Sequence, residues 1–426
     1  MNKTLFGTDG IRGIYGESLT EETAFRLGAA LGDEGSVMLG RDNRPSSPAL
    51  ARALACGVLS RGGEISAVGV TTTPALYYLL TQSAATHAVM VTASHNPPEH
   101  NGLKVFTKQG KPTEAERRRL EDKIAHIEPT PCSPFRYTET QDLSPYTHYV
   151  AKAIGSLKGI RVVLDCAGGA ASVFKGLYRE MGADEITLNA REDGSRINDR
   201  CGALHPEVCA AEVIKRKADL GISVDGDGDR IMLITRSGRI LDGDYTTYLL
   251  ACRMKEKGTL CKNTVAMTVM TNGGILKSLS ERGIRVVSTA VGDSALAETM
   301  QAEGLNLGGE QSGHVILGDY LRTGDGILVG AAIMKSMLEE GDIDAFPSPL
   351  IYPQILLSLP VKDRSVACDP ALRRLATRIK EELREGRVLL RASGTESVVR
   401  IMVEHPDAKV VREAAEQLKD AVLRRA

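Results

Sequence analysis

Tryptophan is absent from this 426-residue chain, and phenylalanine occurs only six times. So few large planar rings leave little with which to stack the bases of a single strand. Neither sign of charge is in excess, since 53 Lys and Arg against 54 Asp and Glu give a formal net charge of -1. No global attraction to nucleic acid or to an anionic membrane follows, and neither is expected as a partner. No apolar run reaches the roughly 20 residues of a membrane span. Met1-Asn2-Lys3-Thr4-Leu5-Phe6-Gly7 holds no apolar h-region, so no secretory signal is expected. The eight cysteines, Cys56, Cys132, Cys166, Cys201, Cys209, Cys252, Cys261 and Cys368, include no C-x-x-C pair. In a long chain without a signal they read as reduced, mostly structural thiols, and the expected location is cytoplasmic. The histidines lack zinc-ligand spacing. There is no G-x-G-x-x-G after a strand and no G-x-x-x-x-G-K-[ST], so dinucleotide and P-loop readings lack support.

What is present reads as an ordinary globular composition, 42% hydrophobic and 25% charged, in a chain too long for one core. Helical and strand patterns alternate throughout, which predicts an α/β fold. Thr20 is a candidate N-cap, with Glu21 and Glu22 in the first turn and Ala24, Leu27 and Leu31 on one face. Ala88-Val89-Met90-Val91 reads as a buried strand. Residues 128–146, with Pro129, Pro131, Pro134 and Pro145, read as a domain boundary. Arg161-Val162-Val163-Leu164-Asp165 reads as a strand entering Cys166-Ala167-Gly168-Gly169, and Ala210, Val213 and Ile214 fall at helical spacing. A third segment holds a strand at 264–269 and a helix with Ile327, Ala331, Met334 and Leu338 on one face. Pro347, Pro349 and Pro353 mark another linker. Strands 387–391 and 398–403 and a helix aligning Val411, Ala414, Leu418 and Val422 complete the chain. The segments predict four domains, at 1–146, 147–243, 244–346 and 347–426.

The densest chemistry lies in Asp225-Gly226-Asp227-Gly228-Asp229-Arg230. Three carboxylates within five residues repel one another unless a cation neutralises them. Hard oxygens without Cys or His suit Mg²⁺ or Ca²⁺ rather than zinc. Strands are predicted on both sides, at Leu220-Gly221-Ile222-Ser223-Val224 and Ile231-Met232-Leu233-Ile234. An EF-hand is excluded, because Arg230 and Arg236 stand where its loop needs Gly and Glu. A solvated acidic turn is the competing reading.

Three further loops carry polar sets. Thr92-Ala93-Ser94-His95-Asn96-Pro97 follows the strand at 88–91, which predicts that Ser94 is exposed at a strand tip. Ser94 there could be a nucleophile or phosphate carrier, although on local sequence alone a polar turn is the better account of the residues. Gly308-Gly309-Glu310-Gln311-Ser312-Gly313-His314 offers a carboxylate, an amide, a hydroxyl and an imidazole, a set suited to a polyol. Arg391-Ala392-Ser393-Gly394-Thr395, with Arg400 in the next strand, supplies what a phosphate dianion needs, or else a hairpin turn with solvated arginines.

In this order the four loops resemble those of the α-D-phosphohexomutases, from Phe6 to about Glu404. Phe6-Gly7-Thr8-Asp9-Gly10-Ile11-Arg12-Gly13 is similar to the N-terminal signature of the bacterial phosphoglucosamine mutases. Ile197-Asn198, Cys201-Gly202, His205-Pro206-Glu207 and Gln311 are similar to further segments of that group. The resemblance implies a four-domain, heart-shaped architecture, with three α/β domains before a smaller C-terminal α+β domain. It implies interconversion of glucosamine 6-phosphate and glucosamine 1-phosphate, in UDP-N-acetylglucosamine biosynthesis, through phosphorylated Ser94 and a bisphosphorylated sugar. It also implies one Mg²⁺ per active site, held by Asp225, Asp227, Asp229 and the Ser94 phosphate. By the same resemblance His95 and Arg230 would contact the phosphoserine, and Lys104, Arg12 and His314 would act at the reacting groups. Glu310 and Ser312 would bind sugar hydroxyls, and Arg391, Ser393, Gly394, Thr395 and Arg400 the phosphate that does not react. A hexosamine phosphate and a bisphosphate activator are the implied partners, in a monomer or homodimer. The sequence departs from the family pattern at Ala392 and Ser397, where proline is usual, at Ser294, where arginine is usual, and at Pro98-Glu99. Competing functions are a phosphoglucomutase or phosphomannomutase of the same mechanism, a sugar-phosphate phosphatase and a silent binding protein.

Overall fold

The computed structural model describes residues 5–7, 9–130, 138–392 and 398–425. They build four sheets, whose strands are numbered along the chain. The first sheet contains β1 (Ile11–Ile14), β2 (Ser36–Arg41), β3 (Glu64–Val70), β4 (His87–Val91) and β5 (His100–Thr107), in the order β1-β5-β4-β2-β3. β4 runs parallel to β2 and antiparallel to β5, with Met90 opposite Lys104. All of Ala88-Val89-Met90-Val91 is buried, as a strand covered on both faces requires. Helix Glu21–Gly32 starts at Thr20, whose side chain accepts the amide of Thr23. It packs against helix Ser47–Ser60 backbone to backbone, which glycine alone permits. A Cβ on Gly28 would lie 2.1 Å from the Leu54 carbonyl oxygen, and one on Gly57 would lie 2.0 Å from that of Phe25.

The second sheet holds β6 (Arg161–Asp165), β7 (Asp184–Leu188), β8 (Leu220–Val224), β9 (Ile231–Thr235) and β10 (Ile240–Leu241), ordered β10-β9-β8-β6-β7. β6, β7 and β8 are parallel, and β9 turns back against β8. The acidic loop is therefore the turn between β8 and β9. The third sheet holds β11 (Thr264–Thr268), β12 (Arg285–Thr289), β13 (Leu307–Gly309) and β14 (Val315–Leu317), ordered β12-β11-β13-β14. β13 and β14 pair antiparallel around the glutamate-serine-histidine loop.

By internal contacts the chain forms two compact units, Met1–Val269 with Val287–Phe346, and Met270–Val286 with Pro347–Ala426. The second unit contains an antiparallel sheet of β15 (Gln354–Pro360), β16 (Arg387–Ala392) and β17 (Val398–Glu404), ordered β15-β17-β16. Helices Pro370–Leu383 and Ala408–Leu423 complete its core, with Val411, Ala414, Leu418 and Val422 buried as predicted. Asn272 ties residues 270–286 to it, donating to the Tyr352 carbonyl at 3.0 Å and accepting its amide at 2.9 Å.

Several expectations change. Pro145 opens helix Ser144–Ile154 instead of lying in a linker, because an N-terminal proline lacks only an amide hydrogen that the helix does not use. Ile214 and Leu338 have the spacing of core residues yet are exposed on their helices. Six described cysteines are free, but Cys56 is disulfide-bonded, against the reading of reduced thiols. Proximity in the fold decides sulfur pairing, and spacing does not show it. Among the described residues no helix is long and apolar enough to cross a membrane.

Helix Gly326–Glu340 is capped by Asp325, a buried carboxylate that accepts the Leu328 amide at 3.0 Å and the Tyr146 hydroxyl at 2.7 Å. Burial raises its pKa from 3.8 to about 6, against the lowering effect of those bonds. The folded state thus holds this proton more tightly than the unfolded chain does. The associated stability is complete below about pH 3.8 and is lost as pH rises through about 6. Asp325→Asn keeps the cap and removes the titration. Its stability relative to the wild type should therefore rise by about 2 kcal/mol between pH 4.5 and 7.5. Denaturant midpoints of both proteins at the two pH values test this, and a constant difference would contradict it.

Candidate active site

The loop after β4 turns at Ser94, which has a left-handed φ of 53°. The serine is 1% exposed, so the predicted exposed tip is corrected: the acidic loop and its neighbours close over it. Its hydroxyl donates to Asp225 Oδ2 at 2.6 Å, and His95 Nδ1 lies 3.4 Å from the same hydroxyl oxygen. Burial is the main reason that the His95 pKa falls to about 3, with Arg230 and Arg12 adding to it, so this imidazole is neutral at physiological pH. Arg230 meets the site through its backbone, donating its amide to Asp225 Oδ1 at 3.2 Å.

Asp225, Asp227 and Asp229 are buried, with one oxygen from each within 4.8 Å of the others. Gly228 has φ 73°, and a Cβ on Gly226 would stand 2.6 Å from the Ser94 carbonyl oxygen, so both glycines are required here. Lys104, on β5, reaches Asp227 Oδ2 at 2.7 Å, Asp229 Oδ2 at 2.8 Å and Asp9 Oδ2 at 3.2 Å. Burial acts to lower its pKa, but the three carboxylates outweigh burial and hold it well above the usual lysine value. Asp227 is correspondingly brought down to about 2 by Lys104, against the opposing effect of burial. Asp225 goes the other way, pushed well up by burial and by its two neighbours.

The network extends further than the sequence suggested. Asp9 also binds Arg12 and Lys111, and Lys111 binds Asp293 at the start of helix Asp293–Glu303. Thr73 donates its hydroxyl to Asp227 Oδ2 at 2.5 Å. Asp9 lies within the N-terminal signature segment, yet the sequence alone assigns it no role. Nothing local marks Lys111, Asp293 or Thr73, whose partners are distant in the chain.

The polyol-suited loop joins this centre directly. Ile231, just beyond the acidic loop, donates its amide to the Gly313 carbonyl at 2.9 Å, and Gly326 donates to that of Gly228 at 3.0 Å. Glu310 and His314 are buried; Ser312 donates to Glu310 Oε1 at 2.7 Å, and His314 Nε2 accepts the Gly324 amide at 3.2 Å. A cavity of about 570 Å³ adjoins the network, with Lys111, Asp293, Ser294 and His314 in its wall. In the second unit Arg391 and Arg400 stand directly opposite across β16 and β17. Burial and then the Arg400 charge lower the Arg391 pKa. Facing cations suit an anion. Ser393, Gly394 and Thr395, like Ser397, lie outside the described residues.

The acidic loop also passes a direct test as a metal site. Asp227 Oδ1 and Asp229 Oδ1 are buried without a hydrogen-bond partner. Such oxygens are costly unless a ligand satisfies them. A hard divalent cation fits this set of donors. Asp229, Asp293 and His314 form a second cluster of possible donors, but Lys111 already neutralises Asp293 there.

Models of phosphoglucomutase/phosphomannomutase domains match along the chain: domain I over residues 3–130, domain II over 144–238, domain III over 242–345 and the C-terminal domain over 359–421. A phosphoglucosamine mutase of Brevibacillus brevis is 39% identical over 439 residues, covering 98% of each chain. Another, of Caldicellulosiruptor bescii, is 37% identical over 441 residues with the same coverage. Among solved structures, a phosphoglucomutase/phosphomannomutase family protein of Burkholderia thailandensis superposes with a TM-score of 0.81 at 23% identity, over 98% of this chain and 97% of that one. An N-acetylphosphoglucosamine mutase of Aspergillus fumigatus, solved with GlcNAc-6P and magnesium, gives a TM-score of 0.65 at 18% identity, over 91% and 82%. The four-domain α/β fold is thus that of an enzyme class, the intramolecular phosphotransferases called phosphohexomutases. The chain belongs to the phosphoglucomutase/phosphomannomutase family, among relatives that carry the name phosphoglucosamine mutase.

A divalent cation should stabilise the folded protein. At a concentration 100-fold above its Kd the gain should be about 2.7 kcal/mol. Asp229→Asn should remove most of the resulting rise in Tm. Calorimetric scans with and without Mg²⁺ measure this, and an equal rise in the variant would exclude the acidic loop as the binding site.

Proposed function

We propose that the chain interconverts glucosamine 6-phosphate and glucosamine 1-phosphate through phosphorylated Ser94 and a bisphosphorylated sugar. One observation carries the reading: a buried hydroxyl at 2.6 Å from a carboxylate of an acidic loop in which two other carboxylate oxygens lack partners. That is the arrangement a phosphoryl carrier beside a cation requires. The names of the near-full-length relatives support the sugar. Each sheet falls within one of the segments 1–146, 147–243, 244–346 and 347–426, which supports that division into domains.

In the proposed reaction the bond from Ser94 Oγ to phosphorus breaks as a sugar hydroxyl forms its own bond to that phosphorus. The proton that the sugar hydroxyl loses balances the one that Ser94 Oγ gains, so the transfer consumes no net acid or base. Bound Mg²⁺, held by Asp225, Asp227, Asp229 and a phosphoserine oxygen, would offset charge on the transferring group. Lys104 would assist proton transfer at the leaving oxygen. Arg12, Arg230 and His95 would surround the phosphoserine, and His314 would face the reacting sugar. Glu310 and Ser312 would orient the sugar hydroxyls. Arg391 and Arg400, with Ser393, Gly394 and Thr395, would grip the phosphate at rest, so that the sugar can bind in two orientations. A bisphosphorylated sugar would serve as activator by phosphorylating Ser94.

Turnover of glucosamine, glucose and mannose 6-phosphates, with a bisphosphate activator present, tests the substrate. Glucosamine 6-phosphate is expected to be clearly preferred, and equal or faster turnover of another sugar would overturn that assignment. Ser94→Ala should abolish mutase activity while sugar phosphate still binds by calorimetry. Turnover near that of the wild type would refute the phosphoserine.

A further inference from the structure

Arg44 is 0% exposed, and both of its Nη atoms are spent on the stretch from Ser94 to His100. One Nη donates to the carbonyls of Ser94 at 2.9 Å and Asn96 at 2.8 Å, and the other to those of His100 at 2.8 Å and Pro97. Nε donates to Asp42 Oδ2 at 2.9 Å. Asp42 is itself fixed by the Ser47 hydroxyl at 2.6 Å and the Thr92 hydroxyl at 2.7 Å. Burying a charge to this degree is tolerable only when every donor is satisfied. Here the carbonyls that satisfy it all belong to the turn carrying Ser94.

That turn needs external support. A left-handed conformation is disfavoured at a residue other than glycine, because its Cβ crowds the backbone. The Ser94 carbonyl is gripped from a second direction as well: Asn198, from the loop region before helix Pro206–Arg216, donates to Ser94 O at 2.9 Å and to Asn96 O at 3.1 Å. With Gly226 packed against the same oxygen, the peptide after Ser94 has no room to flip.

We propose that Arg44 is the positioning residue of the phosphoryl-carrying serine, holding the 94–100 backbone from behind so that Oγ faces Asp225. This rests on the reading of Ser94 as nucleophile. Lysine cannot take over the role, because an ammonium has three donors at one point and no planar fork. Displacement of a reacting atom by about 1 Å can cost on the order of 100-fold in rate.

The test uses full-length enzyme phosphorylated with a sugar bisphosphate and mixed with glucosamine 6-phosphate in a rapid-quench single turnover. Arg44→Lys should slow the transfer rate constant about 10- to 100-fold. The Kd of glucosamine 6-phosphate for the unphosphorylated enzyme should not change. A residue needed only for folding would lower the amplitude and leave the rate constant of the folded fraction at the wild-type value, and that result would overturn the proposal. Asn198→Ala, which keeps Arg44 and its buried charge, should slow transfer in the same direction by less. If Arg44→Lys does not fold, a wild-type rate constant in Asn198→Ala overturns the proposal instead. Absence of phosphate from Ser94 of the wild type would bring down the nucleophile reading and this one together. A phosphorylated Ser94 with undiminished transfer in the variants would bring down the Arg44 assignment alone.

Discussion

Carboxylates buried within reach of one another must be neutralised, and most of the candidate site follows from that constraint. Asp225, Asp227, Asp229, Asp9 and Asp293 gather in one region, interleaved with Lys104, Lys111 and Arg12. Charges of opposite sign alternate along the series from Asp227 through Lys104, Asp9 and Lys111 to Asp293. Removing one member would leave its neighbour buried and uncompensated, commonly at a cost of about 3–5 kcal/mol. The alternation fixes more than charge. Lys104 belongs to β5, Asp9 precedes β1, the aspartate loop joins β8 to β9, and Asp293 opens a helix beyond β12. Electrostatic satisfaction therefore ties together elements of three sheets, and it does so at the carboxylates that would face a transferring phosphoryl group.

What could be read from the sequence divides along the same line. The acidic loop was legible because its chemistry is local: three carboxylates spaced by glycines between apolar strands need a positive charge wherever the chain carries them. The flanking strands were legible for a similar reason, being short and mostly apolar: β8 coincides with the predicted 220–224, and β9 runs one residue past the predicted 231–234, to Thr235. Ser94 was legible as a candidate but not in its setting. A serine after a buried strand points to the surface unless something covers it, and what covers it is an aspartate 131 residues away. Arg44 gave no signal, and Asn198 stood only within a family-like segment without a role, because most of their partners are carbonyl oxygens, which every residue has.

The C-terminal segment shows a different kind of obscurity. β15 was not anticipated, since an edge strand with Leu356 exposed on its outer face blurs the alternation that reveals a strand. The sequence left Arg391 and Arg400 between a phosphate site and a hairpin turn with solvated arginines, and the structure adds that they stand opposite in register across two strands. The two arginines repel one another across the ladder, an arrangement that weakens the sheet unless a ligand rewards it. In both compact units, then, the residues that look least favourable for folding are those proposed to bind a ligand.

Charge balance also governs how the acidic loop and Ser94 act together. Lys104 takes the Oδ2 atoms of Asp227 and Asp229, leaves their Oδ1 atoms without partners, and does not touch Asp225. Asp225 is left to the nearby Arg230 charge and to Ser94, which meets it only as a neutral hydroxyl. Phosphorylation would bring nearly two further negative charges to that hydroxyl. Without an added cation, the phosphate would face Asp225 at a distance where like charges repel strongly in a water-poor site. With one, the free carboxylate oxygens and the phosphate would be available to hold a common ion. Cation binding and phosphorylation must then strengthen each other by equal amounts, because a coupling free energy is shared by both events. On the proposed reading, the loop would thus be incomplete as a metal cage until the serine it faces carried its phosphate.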